Sequence, residues 1–166
     1  MTKVGLSGRL WGLRGQAVFS GRFDHAIDDK GRVSIPARFR EELERDGHDR
    51  LYVTNFIFEA QRCLEVYPPN EWTRLQEQIR QKARFDTQVR SFELFYIGGA
   101  HEVLVDKQGR ILVPPKLREF AALGRDVTFS ALTDHFQLWD KAVLEQVLKA
   151  TEQRFADPEF FQKLGL

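Results

Sequence analysis

The chain has 166 residues, enough for one ordinary domain or two small related halves. Its 42% hydrophobic and 30% charged residues exclude a disordered chain, and no apolar run approaches the roughly 18 residues of a membrane span. A formal net charge of +1 excludes a uniformly basic chain, and the single cysteine, Cys63, excludes an internal disulfide and any cysteine-based zinc site.

Residues 1–17 hold four of the twelve glycines, carry Lys3, Arg9 and Arg14 without an acid, and show no sustained period. They read as a flexible basic extension without the apolar centre of a secretory signal, so cytoplasmic retention is expected. From Phe23 to Ile27 apolar residues alternate with Asp24 and Ala26, which is strand periodicity. The turn D-D-K-G-R (28–32) follows, then a strand with Val33 and Ile35 inward, ended by Pro36 because proline has no N–H. Gly31 supplies the positive φ of a tight hairpin, and Asp28 can accept N–H bonds across it. A short amphipathic helix with Phe39 and Leu43 inward precedes two strands, Leu51–Phe58 and Cys63–Tyr67. Cys63 reads there as a buried structural thiol. Asn70 is positioned to cap a helix carrying Trp72, Leu75 and Ile79. A second helix after Asp86 carries Val89, Phe92 and Tyr96 and stops at Gly98-Gly99.

The cycle then restarts. His101–Val105 is a strand, K-Q-G-R a turn, Ile111–Val113 a strand, and Pro115–Leu123 a helix stopped at Gly124. Strands Val127–Ala131 and Phe136–Trp139 follow. Asp140 caps a terminal helix with Val143, Leu144, Val147 and Leu148 inward. Asp157-Pro158-Glu159 opens a last helical turn, where Phe160 and Phe161 are candidates for an intersubunit contact.

Residues 27–40, I-D-D-K-G-R-V-S-I-P-A-R-F-R, and 105–118, V-D-K-Q-G-R-I-L-V-P-P-K-L-R, are two copies of one pattern, 78 positions apart. Asp28 aligns with Asp106, Gly31 with Gly109, Arg32 with Arg110, Pro36 with Pro114 and Arg40 with Arg118. A repeated supersecondary unit implies a repeated surface. Each copy has more basic than acidic residues in an otherwise nearly neutral chain, the pattern of a focused anion-binding face. Four short strands per half are too few to close a core alone, so the halves are expected to combine into one barrel.

Catalysis has little support. The four histidines, His25, His48, His101 and His135, lie at different points of the repeat and not at metal-ligand spacing, and no phosphate-binding glycine loop is present. Neither a cofactor nor a small-molecule substrate is expected. Recognition has a mechanism: in D-x-x-x-R the turn brings the carboxylate to the guanidinium and fixes one rotamer, which can then address phosphate or guanine O6 and N7. Against this, a lone exposed Asp–Arg pair is an ordinary hairpin feature worth about 0–1 kcal/mol.

The segments 19–40, C-L-E-V-Y-P-P-N-E-W (63–72), R-S-F-E-L-F-Y-I-G-G-A (90–100), 105–118 and F-Q-L-W-D (136–140) together resemble the MraZ family of the AbrB/SpoVT swapped-hairpin superfamily, from about Val18 to Leu148. The resemblance implies an α+β fold: a pseudo-two-fold, swapped-hairpin AbrB-like β-barrel from two internal repeats with flanking helices, assembled into a closed homo-oligomeric ring. The corresponding divisions are a basic extension (1–17), a first repeat (18–70), linking helices (71–99), a second repeat (100–143) and a C-terminal helical segment (144–166). It further implies a nucleoid-associated transcriptional regulator that binds double-stranded DNA. Such a regulator would repress its own promoter and the cell-division and cell-wall gene cluster through G-rich direct repeats upstream of its gene. Carried over residue by residue, Asp28/Arg32 and Asp106/Arg110 are the DNA-reading pairs, with Lys30, Arg38, Lys107 and Lys116 as supporting cations. Two departures stand out. Residues 1–17 precede the usual start of family chains. Glu93 and Leu94 replace basic residues common in relatives, so that helix is expected to pack or to face a neighbouring subunit.

A second reading, an antitoxin-like protein-interaction module, follows from the same superfamily. Two complete repeats and a short capped C-terminus weigh against it, because such antitoxins combine one hairpin with an extended partner-binding tail.

Overall fold

The computed structural model describes residues 17–166; the extension expected over 1–17 lies outside them except for Ala17, which is buried. The elements are β1 (Arg22–Ala26), β2 (Arg32–Ser34), α1 (Ala37–Arg45), β3 (Arg50–Phe58), β4 (Gln61–Tyr67), α2 (Pro69–Arg80) and α3 (Thr87–Phe92), which runs into a π-helical turn, Glu93–Ile97. They continue with β5 (His101–Leu104), β6 (Arg110–Leu112), α4 (Pro115–Phe120), β7 (Asp126–Ala131), β8 (Phe136–Asp140), α5 (Lys141–Phe155) and α6 (Glu159–Leu164). The fold is α+β, with antiparallel strand pairs throughout.

Six strands form one sheet in the order β1-β7-β8-β4-β3-β5, while β2 and β6 pair as a separate ribbon. Exchanging the halves maps β1 onto β5, β7 onto β3 and β8 onto β4, so the order reads the same from either edge and the pseudo-two-fold lies between β4 and β8. The halves interleave: β1 pairs with β7, β5 with β3, and β2 with β6. The strands flanking each D-x-x-x-R turn therefore do not pair with each other, as a local hairpin would require. Each takes its partner from the other half.

The sheet does not close into a barrel by hydrogen bonds among the described residues. The ribbon strands have three residues each, and Pro36 and Pro114 stop them from extending into the larger sheet. One apolar core nevertheless serves both sheets. Val33 and Ile111 from the ribbon pack with Leu51, Val53, Phe129 and Leu138 from the six-stranded sheet. Phe39 of α1 meets Phe136 of β8 at 4.7 Å and Phe19 at 5.2 Å between ring centroids.

Local expectations differ from the structure at three places. The N-cap of α2 is Pro68, not Asn70; Pro69 at the start of the helix is pre-set for helical φ, and no side chain among the described residues caps this end. Helix α4 ends at Phe120, short of Leu123, and Ala122 beyond it takes φ +48°. The helix expected to run from Asp86 to Gly98 loosens into its π turn, where Thr54 Oγ1 donates to the Tyr96 carbonyl and Asn55 Nδ2 to that of Phe95. Asp86 and Asp140 do cap their helices, each accepting two backbone N–H bonds.

Candidate nucleic-acid interface

The two turns have the same construction. Asp28 Oδ1 accepts from the Lys30 N–H at 3.0 Å and the Arg32 N–H at 2.9 Å, while Oδ2 accepts from Arg32 Nε at 2.7 Å. In the second turn Asp106 Oδ1 accepts from the N–H groups of Gln108 and Arg110, both at 2.9 Å, and Oδ2 from Arg110 Nε at 3.0 Å. Gly31 at φ +86° and Gly109 at φ +75° close these turns, each donating its N–H to the aspartate carbonyl at 2.9 Å. Both carboxyls are held below the ordinary carboxylate range, first by the arginine backbone N–H and further by the guanidinium.

Each aspartate hydrogen-bonds its arginine through Nε, so the pair does not use the edge formed by the two Nη groups. That edge matches two acceptors side by side, as in a phosphate or in guanine O6 and N7. The arginine side chains are 37% and 30% exposed, so they are held yet accessible.

The ribbon sets where they point. Its register places Arg32 opposite Leu112, Val33 opposite Ile111, and Ser34 opposite Arg110. Val33 and Ile111 are 1% exposed and face the core. By strand alternation Arg32, Ser34, Arg110 and Leu112 share the outer face. Two strand rises and one strand spacing separate Arg32 from Arg110, about 8 Å between Cα atoms.

The side chains of the remaining predicted residues form no ion pair with Asp28 or Asp106 among the described residues. Lys30 and Lys107 are exposed within the two turns, and Arg38 and Lys116 are exposed in the first turns of α1 and α4. None of the four makes an ion pair with another described residue. The turns are not identical in charge, since Lys107 occupies the place of Asp29.

Two arginines outside the predicted set belong here. Arg118 lies against Gly31, and Arg40 lies against Gly109. Their identity across the repeat was the available signal, but nothing local shows that each reaches the opposite turn.

A second polar cluster sits on the central strands of the six-stranded sheet, at the pseudo-two-fold. Glu65, 4% exposed, accepts from Gln137 Nε2 at 3.0 Å, from Tyr67 Oη at 3.2 Å and from Tyr96 Oη, and His135 Nε2 approaches it at 3.3 Å. Tyr67 stacks on His135 at 4.1 Å, and Asp134 meets the other ring nitrogen of His135 at 2.6 Å. Burial works against charge on both Glu65 and His135, but their mutual contact, with Tyr96 and Gln137 on the glutamate and Asp134 on the histidine, outweighs it: Glu65 stays below and His135 above its ordinary value. Among the described residues no three His, Cys, Asp or Glu side chains gather as a metal site would require. No helix among them is long and apolar enough to cross a membrane.

These features define a duplicated α+β protein whose halves interleave to present two aspartate-braced arginines on one β-ribbon. The family model described as "MraZ protein, putative antitoxin-like" matches residues 18–95 and 96–161. A protein of Caldanaerobacter subterraneus subsp. tengcongensis named "Transcriptional regulator MraZ" is 39% identical over 82% of this chain and 91% of its own length. Proteins of the same name from Syntrophobacter fumaroxidans and Acetivibrio thermocellus are 35% and 40% identical, over 92% and 77% of this chain and 99% and 85% of their own lengths. The chain belongs to the MraZ family.

Proposed function

We propose that this protein is a sequence-specific DNA-binding transcriptional regulator whose reading head is the β2–β6 ribbon with its two flanking turns. The observation that carries this reading is the pair of Nε-braced arginines on the ribbon's outer face. A two-stranded ribbon fits the DNA major groove, and a guanidinium with both Nη groups presented is suited to guanine O6 and N7. The separation of about 7 Å along the ribbon corresponds to roughly two base-pair steps.

In this reading Arg32 and Arg110 contact bases, and Asp28 and Asp106 hold them in register. Lys30, Lys107, Arg38 and Lys116 contact phosphates, which supplies affinity and salt dependence but not sequence discrimination. The name that the relatives bear supports regulation of transcription. The finer picture is a cytoplasmic, nucleoid-associated autorepressor of the cell-division and cell-wall gene cluster, acting through G-rich direct repeats upstream of its own gene. A closed homo-oligomeric ring of swapped-hairpin subunits would let repeated boxes engage several ribbons together, so that weak contacts gain avidity. Exposed Leu94 and Phe95 on the π-helical turn and exposed Phe161 on α6 are surfaces such subunits could share. No cofactor or small-molecule substrate enters the reading.

The test is a titration of the purified protein against the DNA upstream of its own gene and against a scrambled duplex, at two salt concentrations. Selective binding to the upstream DNA supports the reading. Equal binding to both duplexes contradicts it. The words "antitoxin-like" in the family description favour a second reading, a module that neutralises a partner protein. Co-purification of a stoichiometric second protein, with no DNA selectivity, would point there.

A further inference from the structure

We propose that Arg118 and Arg40 are positioning residues that act across the repeat. Arg118, from the second half, holds the first turn and through it Arg32; Arg40, from the first half, holds the second turn and Arg110. The functional consequence rests on the reading of Arg32 and Arg110 as base contacts, but the positioning itself can be tested without DNA.

Three observations carry the inference. A β-carbon on Gly31 would come within 2.6 Å of Arg118 Cζ, and one on Gly109 within 2.9 Å of Arg40 Cζ. Each guanidinium therefore fills the space beside a turn glycine that any side chain would occupy. Among the described residues the Nε atoms of both arginines are buried without a hydrogen-bond partner, and neither side chain forms an ion pair. A desolvated donor left unpaired is costly, so packing against the turn must offset that loss. Finally, Val113 N–H donates to the Gly31 carbonyl and Ile35 N–H to the Gly109 carbonyl, both at 2.9 Å.

Each turn is thus gripped on two sides by the other half: Gly31 by Val113 and Arg118, Gly109 by Ile35 and Arg40. The gripping residues lie directly downstream of the opposite turn, on the same strand–proline–helix segment. The two turns brace each other reciprocally.

The direct test is amide hydrogen exchange on full-length protein without DNA. In Arg118→Ala the Gly31 and Arg32 amides should exchange about tenfold faster or more, while Gly109 and Arg110 change by less than about twofold. Arg40→Ala should do the reverse. Arg118→Lys, which keeps the charge but not the planar group, should loosen the same turn and remains readable if the alanine variant folds poorly. Loosening of the arginine's own turn, of both turns alike, or of neither overturns the proposal.

A DNA-binding cycle gives the second readout. The loss for Arg118→Ala combined with Arg32→Ala should fall short of the product of the single losses by about threefold or more, while Arg118→Ala with Arg110→Ala should be multiplicative. The opposite coupling pattern also overturns the proposal. If neither Arg32 nor Arg110 affects DNA binding, the reading head is wrong and the exchange result still decides the brace. A shallower salt slope for Arg118→Ala with unchanged Gly31 exchange would make Arg118 a phosphate contact instead.

Discussion

Glu65 and Gln137 face each other across the central β4–β8 pair, with Gln137 Nε2 donating to Glu65 Oε1 at 3.0 Å. The flanking pairs are Leu64 with Leu138 and Val66 with Phe136, so this is the position where the pseudo-two-fold crosses the sheet. The surroundings repeat as well: Tyr67 Oη donates to Glu65 and Trp139 Nε1 to Gln137. The symmetry is broken in chemistry. Two buried carboxylates facing each other would repel, whereas a carboxylate and an amide are complementary.

Glu65→Ala should be among the most damaging single changes in the chain. It leaves Gln137 Nε2 without its acceptor and removes one of the two carboxylates that face His135 in a buried site, and breaking such a pair costs about 3–5 kcal/mol. Urea denaturation measures it. A cost near that of an exposed ion pair would mean that the cluster contributes little to the fold.

The same cluster predicts a pH dependence. The folded value of His135 lies above the ordinary one of about 6.5, so its contribution is complete below that pH and is lost as pH rises through the folded value. The folded value of Glu65 is lowered, so its contribution is present above about pH 4.5 and is lost as pH falls through the folded value. Urea midpoints recorded across pH should therefore decline on both sides, and His135→Gln should remove the decline on the alkaline side. A wild-type alkaline decline that survives in His135→Gln would contradict the assignment.

Asp28→Ala and Asp106→Ala test the bracing role through a sign. Removing a negative charge from a DNA-facing turn should tighten binding if only net charge matters. Bracing predicts the opposite for the cognate duplex: a loss approaching that of the arginine itself, about 1–3 kcal/mol. Affinities on cognate and scrambled DNA, compared at one salt concentration, separate the two.

Cys63 should be chemically silent in the folded protein. It is 0% exposed, and burial, aided by Glu65 nearby, pushes its thiol well up. A thiol reagent should label it in urea and not in native buffer. Rapid native labelling would show that the centre of the sheet opens readily.

Local chemistry made much of the fold legible. Alternation over 23–27 located β1, the Asp86 and Asp140 caps started α3 and α5, and Gly31 and Gly109 marked the turns. Pairing was not legible, because a tight turn ordinarily joins neighbours, and here non-local ladders to β7, β6 and β3 take the strands beside the turns. The π turn was equally hidden, since the donors reaching its carbonyls, Thr54 and Asn55, lie some forty residues upstream. At the site, the Asp–Arg braces follow from spacing alone. The Arg40 and Arg118 contacts require knowing which half each helix packs against. The Glu65–His135 pair joins β4 to the segment before β8, and the repeat carries glutamine in place of the acid, so no motif announced it.

Arg32→Ala and Arg110→Ala, titrated against cognate and scrambled duplexes over a range of salt, decide whether the two braced arginines read DNA sequence. Each substitution should weaken cognate binding by about 1–3 kcal/mol, reduce selectivity, and leave the slope of log affinity against log salt nearly unchanged. Cognate affinity and selectivity untouched by both substitutions would mean that neither arginine reads sequence.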